Sequence, residues 1–329
     1  MEFEKIIGQK EIIKNINLSI ENNKISHAYM FIGPEGIGKK TISLIFASLI
    51  LCTDKKDNKI CGKCMSCKMY LSGLNPDLFI IKSEGTIGID EIRDMQKQLL
   101  VRPLYSEKKI YLIIDANKMT VQAQNCLLKT LEEPPKHVII ILTVSNLNTM
   151  LETIQSRIVK FNFKKNTFDE IKLFLSQKNK TNIENLDFIA LYSDGIIGRA
   201  LDFIESDEFM SLRESIISLI IKLMKTELSE IFVIYDFFDK NKKNINTVLD
   251  IIVLFYRDLL VIKKVGEGAF IINSDKRKFI LDNANTFNSE MIMNNIEVIE
   301  MTRKIIKQNA NFQLAIEVMF MKLKGINFN

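Results

Sequence analysis

No apolar run in this chain is long enough to cross a bilayer: stretches such as Val138–Val144 fall far short of the roughly 20 residues that a membrane helix requires. The opening Met1-Glu2-Phe3-Glu4 lacks the basic start of a signal peptide. A cytoplasmic location with no membrane contact is therefore expected. Histidine is scarce. His27 and His137 stand at the starts of strand-like runs with no matching Cys, Asp or Ser constellation, so structural roles are expected of both. Internal repeats and low-complexity tracts are missing too, which excludes solenoids and disordered arrays. Excess charge is small. The net +5 is only a weak hint of an anionic partner in a chain rich in Lys, Asn and Ile, and by itself implies no DNA binding.

What is present is enough chain, 329 residues, for about two or three domains with full cores. Up to about residue 163, Ile- and Leu-rich runs alternate with helical patterns. Strands are expected at His27 to Ile32, Asp77 to Ile81, Ile110 to Ile114 and Val138 to Val144, as a parallel sheet covered by helices. The pattern then turns helical throughout. A polar break at Lys164-Lys165-Asn166, followed by a capping box at Thr167 and Glu170, places a boundary near 164. Two further helices, broken at Gly195, run to about Glu205. Beyond them Phe209 to Asp239, Ile245 to Val265 and Asn288 to Lys324 read as longer amphipathic helices. The expected division is 1–163, 164–206 and 207–329.

Gly33-Pro34-Glu35-Gly36-Ile37-Gly38-Lys39 has the spacing of a phosphate-binding loop and lies between a strand and a helix, as such a loop must. Its glycines, Gly33, Gly36 and Gly38, would let backbone N–H groups converge on phosphate oxygens, with Lys39 reaching the β- and γ-phosphates. An ordinary glycine-rich turn is the alternative. The residue after Lys39, where Ser or Thr would hold Mg²⁺, is Lys40. Thr41 is one position further, turned by about 100° around a helix, and is no simple substitute. Were Lys40 itself to stand in for the cation, nucleotide binding would be insensitive to Mg²⁺.

Asp115 ends the run Ile110-Tyr111-Leu112-Ile113-Ile114, where a metal-steadying aspartate belongs in ATPases of this kind; the other reading is the plain end of a core strand. The next residue is Ala116, in the place of the glutamate that activates water. Loss of such a base costs about 10² to 10⁴ in rate. With two departures in one site, ATP and Mg²⁺ binding is doubtful and independent turnover is not expected. Thr143 and Ser145 end a strand where a γ-phosphate would be sensed, or simply form a turn.

Cys52, Cys61, Cys64 and Cys67 cluster just downstream. In a cytosolic chain this spacing points to a closed, structural Zn²⁺ site, with an Fe–S cluster or a redox switch as alternatives. Cys126, beside Leu127 and Leu128, reads as a buried apolar filler.

Taken together, Ser26-His27-Ala28-Tyr29, the four-cysteine insertion, Leu127-Leu128-Lys129-Thr130-Leu131-Glu132-Glu133-Pro134-Pro135 and Ser156-Arg157 resemble the bacterial DNA polymerase III clamp-loader subunits over roughly residues 5 to 160. Asn309, Asn311, Leu314 and Glu317 resemble that family's C-terminal collar more weakly. The resemblance implies an α/β AAA+ P-loop domain with a parallel sheet and a zinc-binding insertion, about 52–67, followed by a small helical lid and an all-α collar. Within the family, Lys40 and Ala116 favour the delta-prime type over the ATP-hydrolysing gamma/tau type. So does the lid, where Gly198 stands at the sensor-arginine position with Arg199 one place along. No long extension follows the collar, unlike a full-length tau.

Ser156-Arg157-Ile158 is similar to the family's Ser-Arg-Cys motif, which makes Arg157 an arginine finger acting in trans; without the family context it would read as a surface or capping arginine. Implied partners are the gamma/tau and delta subunits in a hetero-pentamer, the sliding clamp and primed template DNA, met mainly at its phosphates. Two other readings stay open: an active ATPase in which Thr41 and another acid replace the missing groups, and a zinc-dependent nucleic-acid-binding module on a degenerate ATPase scaffold.

Overall fold

The sequence's Ile- and Leu-rich runs form four strands of a fully parallel five-stranded sheet. The computed structural model describes residues 3–178, 183–225, 231–266, 268, 270–284 and 287–325, and the chain separates into two units. The first comprises Met1–Gln177 and Ser193–Arg199; the second comprises Lys178–Tyr192 and Ala200–Asn329.

In chain order the first unit contains α1 (Lys10–Glu21), β1 (Ala28–Ile32), α2 (Lys39–Leu51), α3 (Met65–Leu71), β2 (Leu78–Ile81), α4 (Ile89–Leu99), β3 (Lys109–Ile113), α5 (Val121–Glu132), β4 (Val138–Val144), α6 (Glu152–Gln155), β5 (Val159–Asn162) and α7 (Phe168–Gln177). The strand order is β2-β3-β4-β1-β5. Side chains alternate across the sheet with the two-residue period of a strand. Tyr29, Phe31, Leu112 and Ile141 pack with Ile16 of α1 and Phe46 of α2 on one face. Met30, Ile113, Ile140 and Leu142 pack with Ile92 of α4 and Leu127 of α5 on the other. Both faces are covered, which is why these strands read as unbroken apolar runs.

The four expected strands are present, and β5 is an addition. It pairs with β1 at the sheet edge, and only Phe161 of its four residues is buried. The capping box opens α7 as expected: the Glu170 N–H donates to Thr167 Oγ1 at 3.2 Å, and the Thr167 N–H to Glu170 Oε2 at 3.0 Å.

The second unit is helical: α8 (Ile183–Tyr192), the greater part of α9 (Ile197–Glu205), α10 (Asp207–Lys225), α11 (Ile231–Lys240), α12 (Ile245–Val265), α13 (Arg277–Ala284), α14 (Ser289–Lys307) and α15 (Phe312–Leu323). The long α12 packs against α10, α13 and α14. Two expected helices are each divided. The run from Phe209 to Asp239 forms α10 and α11, and residues 226–230 between them lie outside the described residues. The run from Asn288 to Lys324 forms α14 and α15 because Asn309 adopts a left-handed conformation at φ 61° and Asn311 caps a new helix, accepting the Leu314 N–H at 3.1 Å.

A buried polar network was not expected from sequence. Arg213 on α10 is fully buried and donates to both carboxylate oxygens of Asp275, at 2.7 and 3.0 Å, and to Asn273 Oδ1 at 2.9 Å. Its guanidinium also lies 3.8 Å from the centre of the Phe188 ring. Asp258 on α12, equally buried, accepts the backbone N–H groups of Ile272 and Asn273 and the Asn273 amide. Arg213 and Asp258 together tie the segment around 271–275 to two helices, with the buried charges paired and hydrogen-bonded.

Candidate functional site

The glycine-rich segment leaves β1 and enters α2, whose N-cap is Gly38 at φ 102°. The loop is folded in on itself. Lys39 is buried and donates from Nζ to the carbonyl oxygens of Gly33, at 2.6 Å, and Pro34, at 2.8 Å. Burial lowers its pKa, opposed by the charges of Asp115 and Glu35. Backbone from residue 198 also reaches the loop: the Gly198 N–H donates to the Gly36 carbonyl at 2.8 Å. Gly36 holds φ 80°, and a Cβ on Gly198 would stand 2.6 Å from the Gly36 Cα. The position where the resemblance puts a sensor arginine thus lies on the loop as bare backbone, and Arg199 is exposed. Lys40 and Thr41 are both exposed on the first turn of α2.

Because β4 runs between β1 and β3, Thr143 stands beside both the loop and the end of β3. Its hydroxyl accepts the Asp115 N–H at 2.9 Å. Asp115 is left-handed at φ 54°, held there by the strand end and the short turn of residues 116–118. Ala116 is fully buried and brings no carboxylate. Ser145 donates its N–H to Asn117 Oδ1 at 3.2 Å and so belongs to the same turn.

Arg157 lies apart from that loop's hydrogen bonds, just beyond α6. Its NH2 is 3.0 Å from Glu132 Oε1, and its NH1 donates to the Thr153 carbonyl at 2.9 Å and to Ser156 Oγ at 3.3 Å.

The four clustered cysteines come together. Cys52 is the C-cap of α2 and Cys64 the N-cap of α3, and the four Sγ atoms lie within 4.8 Å of one another. Backbone N–H groups point at the sulfurs: Cys61 at Cys52 (3.4 Å), Cys64 at Cys61 (3.2 Å) and Cys67 at Cys64 (3.4 Å). Burial opposes charge on Cys64, but N–H donation from Cys67 and Thr53 outweighs it and brings that thiol down to about 6. Burial pushes the Cys52 and Cys67 thiols up. Four converging sulfurs with N–H donors are a donor set able to hold one metal ion.

The cysteine module is tied to the sheet. Tyr70 donates to the Leu44 carbonyl of α2 at 3.0 Å, and Asn75 donates to the Ser66 carbonyl and hydroxyl. Asp77, buried before β2, accepts the N–H groups of Leu104, Tyr105 and Ser106 at 2.7 to 2.9 Å. From sequence, Asp77 reads only as the start of a strand. Gln124 was also missed. It is buried, donates to the Met119 and Thr149 carbonyls and accepts the Leu151 N–H. Its spacing from Leu127 and Leu131 puts an amide on the core face of α5, which was the available signal. Cys126 is half-buried, not fully buried, because its thiol reaches Gln96 Oε1 at 3.3 Å. His137 donates from Nε2 to the Leu99 carbonyl at 3.0 Å, a structural contact.

A family model described as "DNA polymerase III, delta subunit" matches residues 8–167, and a second, described as "DNA polymerase III, delta subunit, C terminal", matches residues 207–325. The Bacillus subtilis DNA polymerase III subunit delta' is 29% identical over 320 residues, 96% of each chain. The tau subunit of the same organism is 34% identical over 208 residues, 62% of this chain but only 37% of its own length. Among solved structures, a gamma subunit-related protein from Thermotoga maritima aligns over 95% of this chain and 98% of its own, with 19% identity and a TM-score of 0.45. With both family models in chain order and a full-length match to a delta' subunit, the chain belongs to the bacterial DNA polymerase III clamp-loader subunits, delta-prime type.

Proposed function

We propose that this chain serves the clamp loader as a stator that hydrolyses no ATP itself and lends Arg157 to the ATP site of a neighbouring gamma/tau-type subunit. The observation that carries the first half is the folded-in loop, where the ammonium needed for phosphate is bound to Gly33 and Pro34 and backbone at Gly198 lies on Gly36. Lys40 in the Mg²⁺-ligand position and Ala116 in the place of the general base point the same way. The second half rests on Arg157, half-exposed at the end of α6, where its guanidinium can leave a weak ion pair. A finger of this kind stabilises charge on the transferring phosphoryl group and is worth roughly 10³ to 10⁵ in rate.

This reading brings the three-part organisation with it, residues 164–206 as a lid and 207–329 as the collar of a hetero-pentamer with gamma/tau and delta. The assembly would place a sliding clamp on primed template DNA, held mainly through phosphates. A Zn²⁺ ion held by Cys52, Cys61, Cys64 and Cys67 would be structural, since four thiolates leave no open position.

The test is clamp- and DNA-stimulated ATP turnover of the reconstituted loader, native chain against Arg157→Ala at matched assembly. Turnover at the adjoining site is expected to fall by about 10³-fold or more, so the loader as a whole loses that site's share. Unchanged turnover would remove the finger.

A further inference from the structure

Three acceptors converge on the Arg157 guanidinium from its own subunit: the Glu132 carboxylate at 3.0 Å, the Thr153 carbonyl at 2.9 Å and the Ser156 hydroxyl at 3.3 Å. Glu132 is the last residue of α5, where the helix dipole adds negative potential, and the Thr153 carbonyl belongs to the last turn of α6. The guanidinium is thus turned onto its own chain by two helix C-termini and a carboxylate. Glu132 is half-exposed, and the end of α5 is already set by Glu133, whose N–H donates to the Lys129 carbonyl, and by the prolines that follow.

Resting on the reading of Arg157 as a finger, we infer that Glu132 is its resting partner, a positioning residue that holds the guanidinium back until the neighbour's nucleotide outcompetes it. The size of the interaction suits that task. The side chains are 37% and 51% exposed, and an exposed pair of this kind biases an equilibrium by only about 2- to 5-fold. A γ-phosphate carries more charge than one carboxylate and accepts bidentate donation from arginine, so it can displace Glu132 once the interface with the neighbour closes. The pair therefore suppresses premature hydrolysis in the open assembly and costs little in the closed one.

The experiment compares Glu132→Gln, Arg157→Ala and the double variant in the reconstituted loader, each with and without clamp and primed DNA. Glu132→Gln is expected to raise the clamp- and DNA-free ATP turnover by about 2- to 5-fold, to leave the stimulated rate unchanged, and to have no effect on the Arg157→Ala background. Glu132→Asp, with the charge kept on a shorter stem, is expected between Gln and native. If Arg157→Ala slows turnover but Glu132→Gln leaves the unstimulated rate unchanged or lowers it, the restraint is overturned and the finger stands. The restraint is equally overturned if Glu132→Gln accelerates the Arg157→Ala loader to the same degree, since the effect then bypasses the arginine. If Arg157→Ala changes nothing, the finger reading fails and the inference with it.

Discussion

Gly198 lies so close over Gly36 that a Cβ added to it would stand 2.6 Å from the Gly36 Cα and 2.9 Å from the Gly36 carbonyl oxygen. Both neighbours are backbone, so neither can rotate away. Gly198→Ala is therefore expected to cost about 1 to 3 kcal/mol, the usual penalty for overpacking, read as a lower midpoint in urea unfolding. The native chain is expected to give no calorimetric signal with ATP, with or without Mg²⁺. Tight Mg²⁺-dependent binding to the native chain would mean that the folded-in loop opens at little cost.

The cysteine cluster makes a second expectation concrete. Adding a strong chelator, or substituting Cys64→Ser, is expected to lower the melting temperature and to release one equivalent of metal from protein purified without chelator. Affinity for that metal is expected to weaken as pH falls, because the thiols must surrender protons to bind it. Competition titrations at two pH values check this. Protein that binds no metal and melts identically with chelator would exclude a structural ion.

Asp77 gathers three backbone donors, the N–H groups of Leu104, Tyr105 and Ser106. The carboxylate is buried while the loop it holds is only part-buried, so water can take over some of the freed N–H groups and the loss falls below the about 1 to 3 kcal/mol per group of a fully buried site. Asp77→Ala is expected to destabilise the first unit by roughly 1 to 3 kcal/mol and to speed hydrogen exchange at amides 104–106 before other sites. Uniform protection across that loop in the variant would contradict the assignment.

Removing Arg213 leaves the Asp275 carboxylate with only the more distant Lys276 Nζ, at 3.8 Å, and takes the guanidinium donor from the Asn273 amide oxygen in the second unit. Breaking one side of a buried ion pair typically costs about 3 to 5 kcal/mol, which is what is expected here for Arg213→Ala. The pair Arg213→Met with Asp275→Asn is expected to cost less than the two single changes summed, since no unpartnered charge remains. Denaturant titrations of all four chains measure that coupling directly.

How much of this was readable in advance depends on where each determinant lies. The runs of β1 to β4 announced themselves because both faces of the sheet are buried. Edge strand β5 did not: Val159, Lys160 and Asn162 are exposed and leave no apolar run to detect. The glycine-rich loop was visible as a motif. Its folded-in state was not, because the partners of Lys39 are carbonyl oxygens, which every residue carries. Glu132 and Arg157 were both in view, but their pairing across 25 positions depends on how α5 and α6 meet. The break between α14 and α15 lay in two asparagines embedded in an otherwise continuous helical pattern.

Helix α2 begins at the cap of the glycine-rich loop and ends at Cys52. One rod of 13 residues, about 20 Å long, thus carries a loop at one end and a cysteine of the four-sulfur cluster at the other. The two ends are geared together. Inserting or deleting a single residue anywhere along that rod turns Lys39 by about 100° relative to Cys52 and shifts it by about 1.5 Å. Either the loop or the cysteine cluster must then be abandoned. Variation in α2 should therefore be confined to exchanges of side chain, with the count of residues held constant.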